Sequence, residues 1–175
     1  MSLEPVYGTQ SREQFESHVV AHMGAAYNLA RWLTRNDHDA EDVVQEAYLR
    51  AFRFWESFRG ADPRAWLLTI VRNTCFTWLH QNRKPSAELD ENMPELNSAN
   101  TNPEVLLLAN VDAALLRRAV EELPIEFREA IVLRELEGFS YKEISSITSV
   151  PIGTVMSRLA RARTRLLKVL QGGAA

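Results

Sequence analysis

The stretch FSYKEISSITSVPIGTVMSRLARARTRLL, residues 139–167, decides the fold. Ser140 stands before a short apolar-periodic run that contains Ile144 and Ile147. The pattern breaks near Ser149. Pro151 then falls where a second helix begins, a position that tolerates its fixed φ and missing N–H. In that second helix Val155, Leu159, Ala162, Leu166 and Leu170 recur at three- and four-residue steps, which gathers them on one stripe. Ser157, Arg161, Thr164 and Lys168 lie opposite. Arg158 and Arg165 flank one edge of this polar face, and Met156 flanks the other. Arg163 falls at the border of the apolar stripe and is a candidate for pairing with an acid. Two helices joined by a short break are the layout of a helix-turn-helix. From Ser149 to Leu170 there are four arginines, one lysine and no acid. Short polar groups and arginine suit base edges, and flanking cations suit phosphates. A basic solvated helix in a helical hairpin gives the same pattern, so this stretch alone leaves both readings open.

Working outward, the rest of the chain is also helical in character. Alternating β-branched runs between glycine turns are nearly absent. In DAEDVVQEAYLRAFRFW, residues 39–55, the positions Ala40, Val43, Val44, Ala47, Ala51 and Trp55 form one stripe. Asp39 is expected to cap that helix, and Glu41 and Asp42 suit its positive end. Its other face carries Glu46, Arg50 and Arg53, as a solvated face or a partner-binding one. In DPRAWLLTIVRNTCFTWLHQNRK, residues 62–84, Leu67, Ile70, Val71, Cys75 and Trp78 gather on one side. Thr69, Arg72, Asn73, Phe76, His80, Arg83 and Lys84 gather on the other. This second face is basic, acid-free and carries an aromatic ring. Cations hold phosphates, while rings and amides hold unstacked bases, so the face leans toward single-stranded DNA. For Phe76 alone, half-burial under a neighbouring loop is the favoured reading. Trp66 and Trp78 are expected in the core.

Between these blocks lies PSAELDENMPELNSANTN, residues 85–102, with two prolines, four asparagines, four acids and no cation or aromatic. Such a segment buries too little to offset its ordering entropy and reads as a flexible acidic linker; a long surface loop within one domain is the alternative. The expected fold class is therefore all-α, with two small helical domains, 12–84 and 104–171, joined by a linker over 85–103.

Composition narrows the function. The chain has 175 residues and a formal net charge of −3. It lacks a run of about 18 apolar residues of the kind that spans a bilayer. Its start lacks the basic and apolar pattern of a secretory signal, so membrane insertion and export are not expected. Cys75 is the only cysteine, which excludes an internal disulfide or cysteine–zinc cluster and fits a reducing cytoplasm. His18 and His22 are spaced i, i+4, but no third metal ligand is evident. No glycine-rich phosphate loop or nucleophile–base pattern is present, so neither an enzyme nor a cofactor is expected. A dimeric repressor using only the last domain, or a helical interaction protein, remains open on residue types alone.

Three motifs in order carry a resemblance. DAEDVVQEAYLRAFRFWESFRG (39–60), RAWLLTIVRNTCFTWL (64–79) and LPIEFREAIVLRELEGFSYKEISSITSVPIGTVMSRLARAR (123–163) resemble a bacterial RNA polymerase sigma factor of the extracytoplasmic-function (ECF) group, within the sigma-70 family. The resemblance implies that the first domain is sigma region 2 and the second is region 4. It implies docking of the 39–55 helix on the coiled coil of the polymerase β′ subunit, through Asp39, Asp42, Gln45, Glu46 and Arg50. It implies a pocket for a flipped base of the −10 element, lined by Phe58 and Asn73 with Arg72 and Phe76 nearby. It implies contact of Met156, Ser157, Arg158, Ala160, Arg161 and Arg165 with the −35 element, and of region 4 with the β flap. An anti-sigma factor is the further partner it implies. The chain departs from the family at Ser149, where glycine is common, at Met156, where lysine or arginine is common, and at Ser145, where alanine is common. Serine at the turn must accept a left-handed backbone at about 1 kcal/mol or leave it. Methionine suggests an apolar contact, such as one to a thymine methyl. Ser145 is expected to be harmless.

Overall fold

The structure is a computed structural model and describes residues 6–82 and 113–172. The described residues are helical, with no strand among them. The chain divides into two compact units, residues 1–80 with 146–149 and residues 81–145 with 150–175. Residues 85–103, read as the linker, lie outside the described residues.

The first unit holds α1 (Val6–Val19), α2 (Met23–Thr34), α3 (Asp37–Phe54) and α4 (Pro63–Gln81). Helices α2 and α3 pack together. Their facing stripes are rich in alanine: Ala26 and Ala30 on one, Ala40, Ala47 and Ala51 on the other, all fully buried. Small side chains let the two backbones approach closely. Leu29, Leu33, Val43, Leu67, Leu68 and Val71 fill the remaining core. Each such large side chain contributes about 1.5–3 kcal/mol when taken from water. Asn36, not Asp39, caps α3. Its Oδ1 accepts the Asp39 N–H at 3.0 Å, because the helix begins two residues earlier, at Asp37. Trp55 leaves the expected stripe: α3 ends at Phe54, and Trp55 opens a 3₁₀ turn through Ser57 where it is half-buried. Val44 is also half-buried.

The start of α4 follows directly from its sequence. Asp62 Oδ1 accepts the N–H groups of Arg64 at 3.0 Å and Ala65 at 3.2 Å, and Pro63 takes the first helical position. The buried stripe of α4 is rotated from the expected one. Leu67, Leu68, Val71, Thr74 and Cys75 are buried, whereas Ile70 and Trp78 are half-buried. Apolar residues surround this helix, so periodicity alone sets its rotation poorly. Thr74 enters the core because its hydroxyl donates to the Ile70 carbonyl at 2.7 Å. Trp66 is half-buried too.

The second unit holds α5 (Ala113–Glu121), α6 (Ile125–Ile131, continued by a π-helical turn Val132–Leu136), the first part of α7 (Tyr141–Thr148) and α8 (Ile152–Gly172). Helix α8 packs on α5 and α6. Its buried residues are Val155, Leu159, Ala162, Leu166 and Leu170, the stripe read from the sequence. After the π turn, Gly138 takes φ +71°, and the Phe139 N–H reaches the Leu133 carbonyl at 3.0 Å. That six-residue closure needs a left-handed residue, which glycine supplies.

Candidate functional site

Helix α7 opens with a reciprocal cap. The Ser140 N–H donates to Glu143 Oε2 at 2.7 Å, and the Glu143 N–H donates to Ser140 Oγ at 3.2 Å. The Ser-x-x-Glu spacing carried this signal, and only its serine was singled out. The α7–α8 turn is held from both sides. The Val150 N–H donates to the Ser145 carbonyl at 3.3 Å, and Ser145 Oγ donates to the Val150 carbonyl at 2.5 Å. Ser145 is thus a tie across the turn, which alanine would lack. Ser149 takes φ +57°, the left-handed conformation that the turn requires.

From this turn α8 presents its outer face. Met156, Ser157, Ala160 and Arg161 are exposed, and Arg158 and Arg165 are half-buried. Ser157 Oγ donates to the Thr154 carbonyl at 3.0 Å, and the Arg165 guanidinium lies 5.1 Å from the Phe127 ring centre. Arg163 leaves this set. Its Nη2 donates to Glu135 Oε1 at 2.7 Å, across 28 residues of sequence. Burial alone lowers its pKa, but hydrogen bonds to Glu135 and Tyr141 outweigh that and raise it above the ordinary arginine value. On the π-helical turn, Arg134 donates to the Phe139 carbonyl at 2.9 Å and lies over the Tyr141 ring.

In the first unit, α4 brings together three expected residues. The Arg72 guanidinium lies 4.0 Å from the Phe76 ring centre, one turn away. Arg72 Nη1 also donates to Asn73 Oδ1 at 3.4 Å. Asn73 is exposed, while Arg72 and Phe76 are half-buried. Of the remaining residues on that face, Arg83 and Lys84 lie outside the described residues. Phe58 belongs to a different group. Its ring stacks on Trp55 at 5.5 Å and tilts against Trp66 at 5.0 Å. Trp55 continues the cluster to Phe15 at 5.7 Å. Trp66, which adjoins Phe58, precedes Asn73 by seven residues, or about 10 Å along α4. The aromatic frame of Phe58 joins three separate elements, so the sequence read Trp55 and Trp66 only as core.

The outer face of α3 carries Asp42, Gln45 and Glu46, with Asp39 and Arg50 at one edge. Arg50 Nε donates to Glu46 Oε1 at 2.8 Å, and His38 lies 3.8 Å from Asp42. At the centre of this face is Leu49, 58% exposed, which had not been singled out. Its sign in the sequence is an apolar residue out of register with the Ala40–Ala51 stripe. His18 Nδ1 hydrogen-bonds to the Gln14 carbonyl at 2.8 Å and its ring lies against Trp55. Among the described residues no three His, Cys, Asp or Glu side chains group as a metal site. No described helix is long and apolar enough to cross a membrane.

Comparison with known proteins agrees with this layout. Residues 18–84 match the family model for Sigma-70 region 2, and residues 113–166 match that for Sigma-70, region 4. The chain is 42% identical over 134 residues to the ECF RNA polymerase sigma-E factor of Escherichia coli, spanning 71% of this chain and 70% of that protein. It is 36% identical over 146 residues to the ECF RNA polymerase sigma factor SigE of Mycolicibacterium smegmatis, spanning 83% of this chain and 57% of that one. Among solved structures it is similar to the sigma factor RpoE of Bartonella quintana, crystallised with the anti-sigma factor NepR. There the TM-score is 0.71 at 29% identity, covering 91% of this chain and 98% of that one. CnrH, solved with the cytosolic domain of CnrY, shares the fold at TM-score 0.65 and 24% identity, covering 94% of each chain. The chain belongs to the sigma-70 family, in its extracytoplasmic-function group, and acts as a sigma factor in promoter-specific transcription initiation.

Proposed function

We propose that residues 12–84 serve as region 2, 85–103 as a linker and 104–171 as region 4. In this reading α3 docks on the β′ coiled coil of core RNA polymerase through Asp39, Asp42, Gln45, Glu46 and Arg50, with Leu49 as its apolar centre. Phe58, Arg72, Asn73 and Phe76 serve the −10 element. Met156, Ser157, Arg158, Ala160, Arg161 and Arg165 serve the −35 element, and region 4 also meets the β flap. The protein works in the cytoplasm, without catalytic chemistry of its own. An anti-sigma factor covers it when idle, as NepR partners the Bartonella quintana sigma factor.

The observation that carries this reading is the helix-turn-helix. Ser145 and Ser149 shape its turn, and the face of α8 opposite its buried stripe holds serine and arginine and no acid. A recognition helix needs that combination, since arginine and short hydroxyls match base edges in the major groove. The test is run-off transcription by core polymerase with and without the chain, on fragments of the genome. Arg161→Ala should then cost about 1–3 kcal/mol at the selected promoters and relax one −35 base pair. Initiation independent of the chain would defeat the proposal. Uniform loss across all −35 sequences would make Arg161 a phosphate contact.

A further inference from the structure

The exposed face of α8 is divided along its length. One half carries Ser157 and Arg161, with Arg158 and Arg165 at its edge. The other half carries Ile152, Met156 and Ala160, spaced i, i+4 and i+8 and all exposed. Ile152 is 43% exposed and Met156 52%, although both are large apolar side chains. Gly153 beside them leaves open space above the helix, with no atom within 4 Å of where a Cβ would stand. Arg163 is the cation on this side of the helix, and Glu135 holds its guanidinium at 2.7 Å. The charge there is already matched, so this half offers an apolar surface beside a cationic one.

We propose that the Ile152–Met156–Ala160 strip reads the C5 methyl groups of thymines in the −35 element. The proposal rests on the reading of α8 as the −35 helix and deepens it. In the major groove only thymine presents a methyl group, so apolar contact there selects thymine. The flanking arginines, with no acid among the outward residues of α8, favour a polyanion as what this surface meets. The strip also lies in the first turns of α8, the end of a recognition helix that reaches base edges. Lysine or arginine at position 156 would instead donate to guanine O6 and N7, so methionine changes which base pair is preferred.

The experiment uses holoenzyme made from the full chain and core polymerase. Promoters are first selected by enrichment, and each −35 thymine is then replaced singly by deoxyuridine, which removes only the methyl. At one or more positions binding should weaken about fourfold, the value of one methyl-sized group taken from water. With Met156→Ala or Ile152→Ala holoenzyme, thymine and uracil at that position should bind equally. Met156→Lys should move preference from thymine toward guanine and add about one to the salt slope of binding. Tolerance of uracil everywhere, with Arg161→Ala still relaxing a −35 pair, would overturn the strip and leave α8 as the −35 helix. If neither change affects any −35 position, the reading of α8 fails with it. A uracil effect that persists in both alanine variants, or a Met156→Lys variant that keeps its thymine preference, would place methyl reading elsewhere and overturn the proposal.

Discussion

Asn73 and Phe58 sit in different surroundings, and this makes their roles separable. Asn73 is exposed and its Oδ1 accepts only a long hydrogen bond from Arg72, at 3.4 Å, so its amide can turn toward a base. A flipped base loses a few kcal/mol of stacking and pairing that a pocket must return. Asn73→Ala should remove about 1 kcal/mol of that return, roughly fivefold in open-complex formation, and leave polymerase assembly and closed promoter binding intact. Permanganate reactivity of −10 thymines, run beside a holoenzyme gel shift, checks this. If both signals fall together, or neither falls, Asn73 does not line the pocket. Phe58 is held by its neighbours instead. A Cβ on Gly60 would meet Phe58 Cε2 at 2.8 Å. Gly60→Ala must therefore shift the ring against Trp55 and Trp66. The near-ultraviolet circular dichroism of those tryptophans should change, and melting should weaken with it. An unchanged spectrum would mean that the loop, and not the ring, gives way.

At the scale of elements, legibility followed amphipathicity. The buried residues of α8 were all read from spacing, because the positions opposite them, Ser157, Arg161, Thr164 and Lys168, are all polar or charged. Helix α4 was misjudged by about 20° at 100° per residue, with Leu67, Val71 and Cys75 kept in the stripe, since Trp66, Leu68, Ile70, Phe76 and Trp78 give it apolar character all round. The α3 cap was misplaced because Asn36, Asp37 and Asp39 are all good caps within four residues. The Arg72–Phe76 pair was visible as an i, i+4 spacing. The Trp55–Phe58–Trp66 cluster was not, because its members come from different elements. The Arg163 reading was half legible: its border position was plain, its partner 28 residues away was not. Since Glu135 already matches that charge, Arg163→Ala should leave the salt slope of promoter binding unchanged. Being half-exposed, the pair should contribute no more than about 1 kcal/mol to unfolding stability. Arg158→Ala should instead lower the slope by about one. A drop in slope for Arg163→Ala would mean that the arginine leaves Glu135 to bind phosphate. The Ser149 turn gives a second check. Ser149→Gly relieves a left-handed serine, offset by the greater freedom of glycine when unfolded. Denaturant unfolding should show a net gain of a few tenths to about 1 kcal/mol. A loss would mean that the serine side chain itself supports the turn.

The whole molecule poses a problem of charge. Residues 12–84 carry ten cations and nine acids, and so do residues 104–171. The four acids Glu88, Asp90, Glu91 and Glu95, together with Glu4, account for the net charge of −3. Acidity is thus a property of the 85–103 segment, while the segments on either side of it are slightly cationic. Non-specific binding to duplex DNA is supplied almost wholly by cations replacing counterions, so four acids tethered nearby oppose it. They should hold the free chain off DNA until polymerase supplies the missing affinity. Replacing Glu88, Glu91 and Glu95 by Gln and Asp90 by Asn changes the net charge from −3 to +1 without touching either flanking segment. The free variant should bind random duplex DNA more tightly than the parent, by fluorescence anisotropy at low salt. The gap should close as salt rises and screening shortens the reach of the acids to about 8 Å at physiological ionic strength. A variant with the same four acids in scrambled order should bind like the parent, because net charge and not sequence is at work. If the neutral variant binds no better at low salt, the acids do not restrain the free chain. If the scrambled variant gains affinity as well, their placement matters more than their number, and a specific contact replaces the general electrostatic one.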